Sequence, residues 1–239
     1  YKGNFVRFDT LINVDLHGGQ TEIWSSFNYL EQLQRFHPLT HHDDPDVAPY
    51  SRDQENYYHC NSIQILPDTP LGRMDARFRA GNILLSARNV STLFILDRDT
   101  MKVLWGWGSD ELDWQHDPVM RGDGNILIYD NGMHRRFSRL VEMNPVTGGV
   151  VWEYLAEPPE SFHNETMGGV QLLENGNILV TESNISRVFE LTSEGEVVWD
   201  FLHPGFYSED FKSIENRART IYKMERYSVE FIERIESLQ

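Results

Sequence analysis

The chain has 239 residues, 21 of them Lys or Arg against 37 Asp or Glu, for a formal charge of −16 with histidine neutral. That acidity excludes a general binder of phosphate backbones and disfavours an anionic membrane surface as partner. With 40% apolar and 24% charged residues, the composition is that of a globular protein able to bury a full core, and no apolar run approaches the roughly 18–20 residues that cross a bilayer.

In chain order, residues 9–24 carry a hairpin pattern around His17-Gly18-Gly19 that ends in Trp24. Residues 36–57, rich in His, Asp and Pro, predict an inserted surface loop. Within it, His41-His42-Asp43-Asp44 has the composition of a metal cluster but the setting of a solvated loop. Three similar units follow. Each has an apolar strand, then one of Gly81-Asn82-Ile83-Leu84-Leu85, Gly124-Asn125-Ile126-Leu127-Ile128 or Gly176-Asn177-Ile178-Leu179-Val180, then a hairpin. The hairpins turn at Arg98-Asp99-Thr100, Asn144-Pro145-Val146-Thr147-Gly148 and Ser193-Glu194-Gly195, and end in Trp105, Trp152 and Trp199 at equal intervals. Four strands in about 45 residues is the size of one β-propeller blade. The fold expected is therefore all-β, a propeller with about four blades visible over residues 1–205. A β-sandwich with chance similarity is the alternative. The recurring Trp residues are expected to pack between blades, and the Gly-Asn pairs to supply turns that need positive φ. After His203-Pro204-Gly205, the spacing of Phe211, Ile214, Ala218, Ile221 and Met224 and the amphipathic run 229–235 predict a helical segment over 206–239, packed on the propeller.

The first strand of a blade lines the central channel, where side chains held by a rigid scaffold converge. Histidines open or precede three such strands, at His59, His116 and His163. Histidine suits nucleophilic or general-base work near neutral pH. Arg88, at the end of a Gly-Asn strand, and Arg139, after Asp130-Asn131-Gly132, have the planar fork that grips tetrahedral oxyanions. Together they describe an anion pocket with a histidine at its centre; hydrogen-bonded packing histidines and inter-blade salt bridges are the plainer reading. The single cysteine, Cys60, excludes a disulfide within the chain and any Cys-based metal cluster. Beside His59 it is either a reactive thiol or a buried bystander. Sequons at Asn89, Asn164 and Asn184 matter only in a eukaryotic secretory pathway.

The run Gln115-His116-Asp117, Gly124 to Gly132, Ser138-Arg139 and Val150-Val151-Trp152-Glu153-Tyr154 resembles the bacterial arylsulfotransferase family, the type that uses no nucleotide sulfate donor. The match continues upstream through His59-Cys60-Asn61-Ser62 and Ile83 to Asn89, and downstream to Ile221-Tyr222 and Arg226-Tyr227. The resemblance implies a six-bladed propeller that transfers a sulfuryl group from a phenolic sulfate ester to a phenol through a sulfohistidine, with no metal and no cofactor. By motif, His116 resembles the nucleophile. His59 and Asn61 resemble partners of the sulfuryl oxygens, and Arg88 resembles the residue that neutralises them. Arg139 and His163 are added as substrate-binding candidates. The resemblance also implies a periplasmic or otherwise exported protein and small-molecule aryl sulfate and phenol as partners, with no nucleic acid; a homo-oligomer stays open.

Two departures stand out. A further channel histidine of the family has no counterpart here, and two blades of a six-bladed ring are not visible. The chain starts at Tyr1 with no basic-then-apolar leader, so the expectation is that the missing blades precede it or come from another chain. The competing class of function is a propeller that has lost the chemistry and serves as a binding or scaffold module.

Overall fold

The computed structural model describes residues 5–37, 54–204 and 220–237. Strands β1 (Phe5–Arg7) and β4 (Gln54–Asn56) pair in parallel, and β2 (Thr10–Val14) and β3 (Gln20–Ser25) form the first hairpin. Three antiparallel four-stranded sheets follow, each a meander in chain order. The first holds β5 (Cys60–Ile65), β6 (Ile83–Ala87), β7 (Thr92–Leu96) and β8 (Val103–Trp107). The second holds β9 (His116–Met120), β10 (Ile126–Asp130), β11 (Arg139–Met143) and β12 (Val150–Tyr154). The third holds β13 (Gly169–Leu172), β14 (Ile178–Glu182), β15 (Arg187–Leu191) and β16 (Val197–Leu202). These are the three units legible in the sequence, and they are propeller blades. Short helices α1 (Leu30–Leu33) and α2 (Pro70–Met74) fill connections, and α3 (Val229–Glu236) lies near the C-terminus.

Local chemistry explains the units. Gly81, Gly124 and Gly176 all sit at φ between +86° and +94°, a region closed to most side chains. The adjoining asparagines brace other strands instead of making the turn. Asn125 Nδ2 donates to Glu142 at 2.8 Å and Asn177 Nδ2 to Glu190 at 2.7 Å, each tying the start of a second strand to the third. The first two hairpin turns close on Asx geometry. Asp97 Oδ1 accepts from the Thr100 amide at 2.8 Å, and Asn144 Oδ1 from the Val146 amide at 3.0 Å. In the third, Thr192 Oγ1 accepts from the Glu196 amide at 3.2 Å.

Strands β6, β10 and β14 are buried on both faces, so they read as continuous apolar runs and not as an alternation. Alternate residues enter different layers. Ile83 and Leu85 pack toward Trp24, Tyr58 and Phe94, whereas Leu84 joins Ile95, Ile126 and Ile128 between the first two blades. Leu127 and Tyr129 then meet Phe162, Val180 and Phe189 between the second and third. Trp105 and Trp152 stitch these layers as expected, whereas Trp199 stays 40% exposed. Trp105 Nε1 donates to Pro145 O at 3.1 Å, and Trp152 Nε1 to Ser193 O at 2.9 Å, each reaching the hairpin turn of the next blade.

A serine latch repeats at the entry to each inner strand. Ser91, Ser138 and Ser186 each follow the turn after a second strand, and their hydroxyls accept from the amides of Trp114 (3.2 Å), Asn164 (2.9 Å) and Ile221 (3.3 Å). The third latch corrects one expectation. Ile221 and Met224 are not helical. Residues 221–226 run extended across the third blade, with Met224 N donating to Thr181 Oγ1 at 3.0 Å and Arg226 N to Gln171 Oε1 at 2.7 Å. Gln64 makes the same bond to Met120 N at 2.8 Å in the first blade, so this segment follows the course of an inner strand. Bonds to blade side chains replaced the i−4 bonds that a helix would have made. Within the described part of this C-terminal segment, helix formation is confined to α3, capped by Ser228. Residues Phe211, Ile214 and Ala218 lie outside the described residues, as does most of the insertion, including His41-His42-Asp43-Asp44. Tyr57, placed at the insertion's end by sequence, is instead a core residue.

Candidate functional site

The site grows from the seam between the first and second blades. Gln115 is fully buried; its Nε2 donates to Ser86 Oγ at 3.1 Å and its carbonyl accepts from Asn61 Nδ2 at 2.9 Å. With the Ser91 latch on Trp114, these bonds fix the backbone from which His116 projects. His116 opens β9 and is 4% exposed. Its Nδ1 lies 2.8 Å from Asn131 Oδ1 and 3.2 Å from Trp114 O, and its Nε2 accepts from the Met167 amide at 3.2 Å. Burial lowers its pKa from 6.5 to about 4, opposed by the Asn131 bond and reinforced by the positive charge of Arg88. The ring is therefore neutral at physiological pH.

His59 stands one residue before β5, at φ +49°, with Nδ1 2.8 Å from Asn56 Nδ2. Burial and the charges of Arg88 and Arg7 lower its pKa to about 4. Arg88 follows β6, with Nε donating to Asn89 Oδ1 at 3.0 Å and its guanidinium 4.5 Å from the centre of the Trp114 ring. His116, His59, Asn61 and Arg88 thus gather at one seam, held by Gln115 and Trp114. A neutral imidazole flanked by a guanidinium and an amide is equipped to meet a tetrahedral anion.

The other two candidates are placed differently. Arg139 opens β11 with every side-chain nitrogen engaged: Nε to Asp130, Nη1 to Glu153 and Nη2 to Glu111 O, each at 2.7 Å. Burial raises the Asp130 pKa while Arg135 and Arg139 pull it back, which makes this cluster a structural clamp. His163 lies in the 162–168 loop that also carries Met167, and its Nε2 is enclosed without a partner among the described residues. The Cys60 thiol is pushed up by burial and by Asp9, so the bystander reading holds. The side chains of Asn89 and Asn164 are spent inside the fold, on Asn56 O and Thr166 O.

Four neighbours carry no sequence signal of a role. Asn131 sits in an Asp-Asn-Gly run that looks like a turn. Trp114 reads as one more blade tryptophan. Met167 reaches His116 through its backbone, which no side-chain pattern reports. Lys223 arrives from the tail to pair with Asp117, the residue after His116, at 3.0 Å; Asp117 Oδ2 also accepts from Val170 N at 2.8 Å. Gly169 leaves room for that pair, since a Cβ there would stand 2.9 Å from Asp117 Oδ2.

A family model described as arylsulfotransferase (ASST) matches residues 5–203. No curated protein sequence matches the chain. Among solved structures, a Bacteroides caccae protein of unknown function is 21% identical, with a TM-score of 0.44 over 63% of this chain and 48% of its own. Virginiamycin B lyase from Staphylococcus aureus is 14% identical, with a TM-score of 0.46 over 82% of this chain and 49% of its own. The Dos1 propeller is 10% identical, with a TM-score of 0.46 over 82% of this chain and 43% of its own. The chain spans about half the length of the solved structures it matches.

Proposed function

Because the chain belongs to the arylsulfotransferase (ASST) family, we propose that it transfers a sulfuryl group from a phenolic sulfate ester to a phenol, with His116 carrying the group between them. The observation that best supports this reading is the state of His116. It is neutral, held on both ring nitrogens and close enough to Arg88 to feel its charge. In the first half-reaction a ring nitrogen lone pair attacks sulfur and forms an N–S bond. The S–O bond to the aryl group breaks, and its electron pair leaves on the phenolate. In the second, the acceptor phenol oxygen attacks the same sulfur, the N–S bond returns its pair to the ring, and the phenolic proton is released. Arg88 offsets the charge on the sulfuryl oxygens, with His59 and Asn61 as the further donors. Only one Asn61 N–H is spent on Gln115 O. His163, with its unpartnered Nε2, is assigned to the substrate rim. Arg139 is left out of this reading because its nitrogens are committed elsewhere. The reading carries an exported, periplasmic-type setting with it; among the described residues no helix is long and apolar enough to cross a membrane.

The test is a transfer assay with a chromogenic aryl sulfate and phenol, on wild type, His116→Ala and Arg88→Ala, each checked for folding by its melting transition. Release of the aryl alcohol should depend on phenol, vanish in His116→Ala and fall on the order of 10²–10³-fold in Arg88→Ala. Full activity in His116→Ala removes the nucleophile. No release from folded wild type removes the enzyme and leaves a propeller that binds without transfer.

A further inference from the structure

We infer that Asn131 is a positioning residue for His116: its side-chain carbonyl holds the imidazole proton on Nδ1, and Nε2 is thereby the nitrogen that attacks sulfur. The kinetic part of this inference rests on the transfer reading above; the tautomer does not.

The orientation of the Asn131 amide is settled by its own partners. Its Nδ2 donates to Asn164 O at 2.7 Å and to Met167 O at 2.8 Å, so its oxygen is the atom that faces the ring. His116 Nδ1 then meets two oxygens, Asn131 Oδ1 at 2.8 Å and Trp114 O at 3.2 Å, neither of which has a proton to give. The proton must be on Nδ1. The opposite nitrogen confirms this, since the Met167 N–H points at Nε2 from 3.2 Å and needs a lone pair there. Asn131 is fully buried, so water does not compete for the bond. The bond made by one imidazole nitrogen decides what the other can do.

This arrangement suits the chemistry. As Nε2 bonds to sulfur and the aryl oxygen leaves with its electron pair, the ring takes up positive charge that it shares with the Nδ1 proton. The Asn131 and Trp114 carbonyls already accept that proton, and such a bond strengthens when its donor is charged. An amide does this without the cost of a carboxylate, which would favour the imidazolium in the resting state and remove the lone pair. The surrounding charges agree. From the first blade, Arg88 and His59 face the ring. Asp117, on the same strand as His116, is balanced by Lys223 from the tail at 3.0 Å. The second blade contributes the neutral Asn131, and the 162–168 loop contributes the Met167 amide. That amide must give up the Nε2 lone pair before sulfur can take it, and Asn131 holds the same residue's carbonyl. One side chain therefore references both the nucleophile and the cap over it.

The first test is a long-range ¹H–¹⁵N correlation spectrum of histidine-labelled wild-type protein, with His116 assigned by its loss in His116→Gln. Near neutral pH, Nδ1 should be the protonated nitrogen and Nε2 the bare one. The reverse tautomer overturns the inference whether or not any aryl sulfate turns over. The expected tautomer without transfer overturns the proposed function and leaves the positioning intact. The second test compares Asn131→Asp and Asn131→Ala. In Asn131→Asp the His116 titration and the acid limb of kcat should both move up by at least about one pH unit. In Asn131→Ala the tautomers should mix and kcat should fall by roughly 10–100-fold with KM little changed, the scale at which partners of a functional histidine act. If the carboxylate variant fails to fold, the spectrum of Asn131→Ala decides alone. A lower kcat with tautomer and acid limb both unmoved makes Asn131 merely structural and refutes the inference.

Discussion

The depressed pKa of His116 has a consequence for stability that needs no substrate. In the unfolded chain a histidine titrates near 6.5; in the fold, His116 titrates at about 4, chiefly because it is buried. Above pH 6.5 the ring is neutral in both states and the burial carries no protonation penalty. Between pH 6.5 and 4 the unfolded chain binds a proton that the folded one refuses. Stability then falls by up to about 1.4 kcal/mol per pH unit, reaching a total of about 3 kcal/mol below pH 4. His59, also lowered to about 4, adds to the loss in the same window and direction, in both wild type and variant. The perturbation is His116→Gln, which removes the titration and keeps a polar side chain. The assay is urea unfolding of both proteins at pH 7, 5.5 and 4. Relative to the variant, wild type should lose about 3 kcal/mol between the first and last of these. Parallel pH dependence of the two proteins would refute the claim that His116 is held neutral by burial. In the transfer assay the same group predicts activity that stays flat from pH 7 to about 5 and falls as pH approaches 4.

Trp105→Ala should cost about 3–5 kcal/mol in chemical unfolding, because it removes a core ring and the bond to Pro145 O. Trp199→Ala should cost well under half of that, since this ring is 40% exposed against 6% for Trp105. Gly124→Ala should destabilise by more than about 1 kcal/mol, because the position needs φ +94° and the new Cβ would meet Leu71 at 2.7 Å. Lys223→Met, which keeps the stem and removes the charge, should leave the blades folded but speed proteolysis within 220–227; unchanged cleavage would show that the Asp117 pair does not hold the tail.

The repeat was legible because a blade imposes the same local chemistry each time it recurs. A left-handed glycine appears in all three blades, and a turn closed by Asp or Asn and a tryptophan bonded to the next blade appear in the first two, because each solves a local problem that recurs. The gathering of His59, Asn61, Arg88 and His116 was legible for a related reason, since all four flank inner-strand entrances, and their order is carried by the chain. Arg139 shows the limit. By residue type it suits an anion, but three acceptors claim it, and one of them, Glu153, is two strand ends away in sequence. The tail shows another. Its apolar spacing fits a helix, yet the hydroxyls of Thr181 and Ser186 and the amide of Gln171 claim its backbone. Spacing reports what a segment could do alone, and here the neighbouring blade offered better partners.

The same latches explain why chemistry can sit where it does. The amide caught by Ser91 belongs to Trp114, two residues before His116, so the blade that precedes His116 sets its position along the seam. The blade that contains His116 then sets its rotation, through Asn131, and the entry to the third blade caps it, through Met167. Three consecutive blades therefore each fix one degree of freedom of a single ring. None of the three contacts belongs to a side chain that sequence alone marks as functional: one is a serine in a turn, one an asparagine before a glycine, one a backbone amide. A site built this way is rigid for the reason the propeller is rigid, and its precision depends on the register of the blades as much as on the residues that touch substrate.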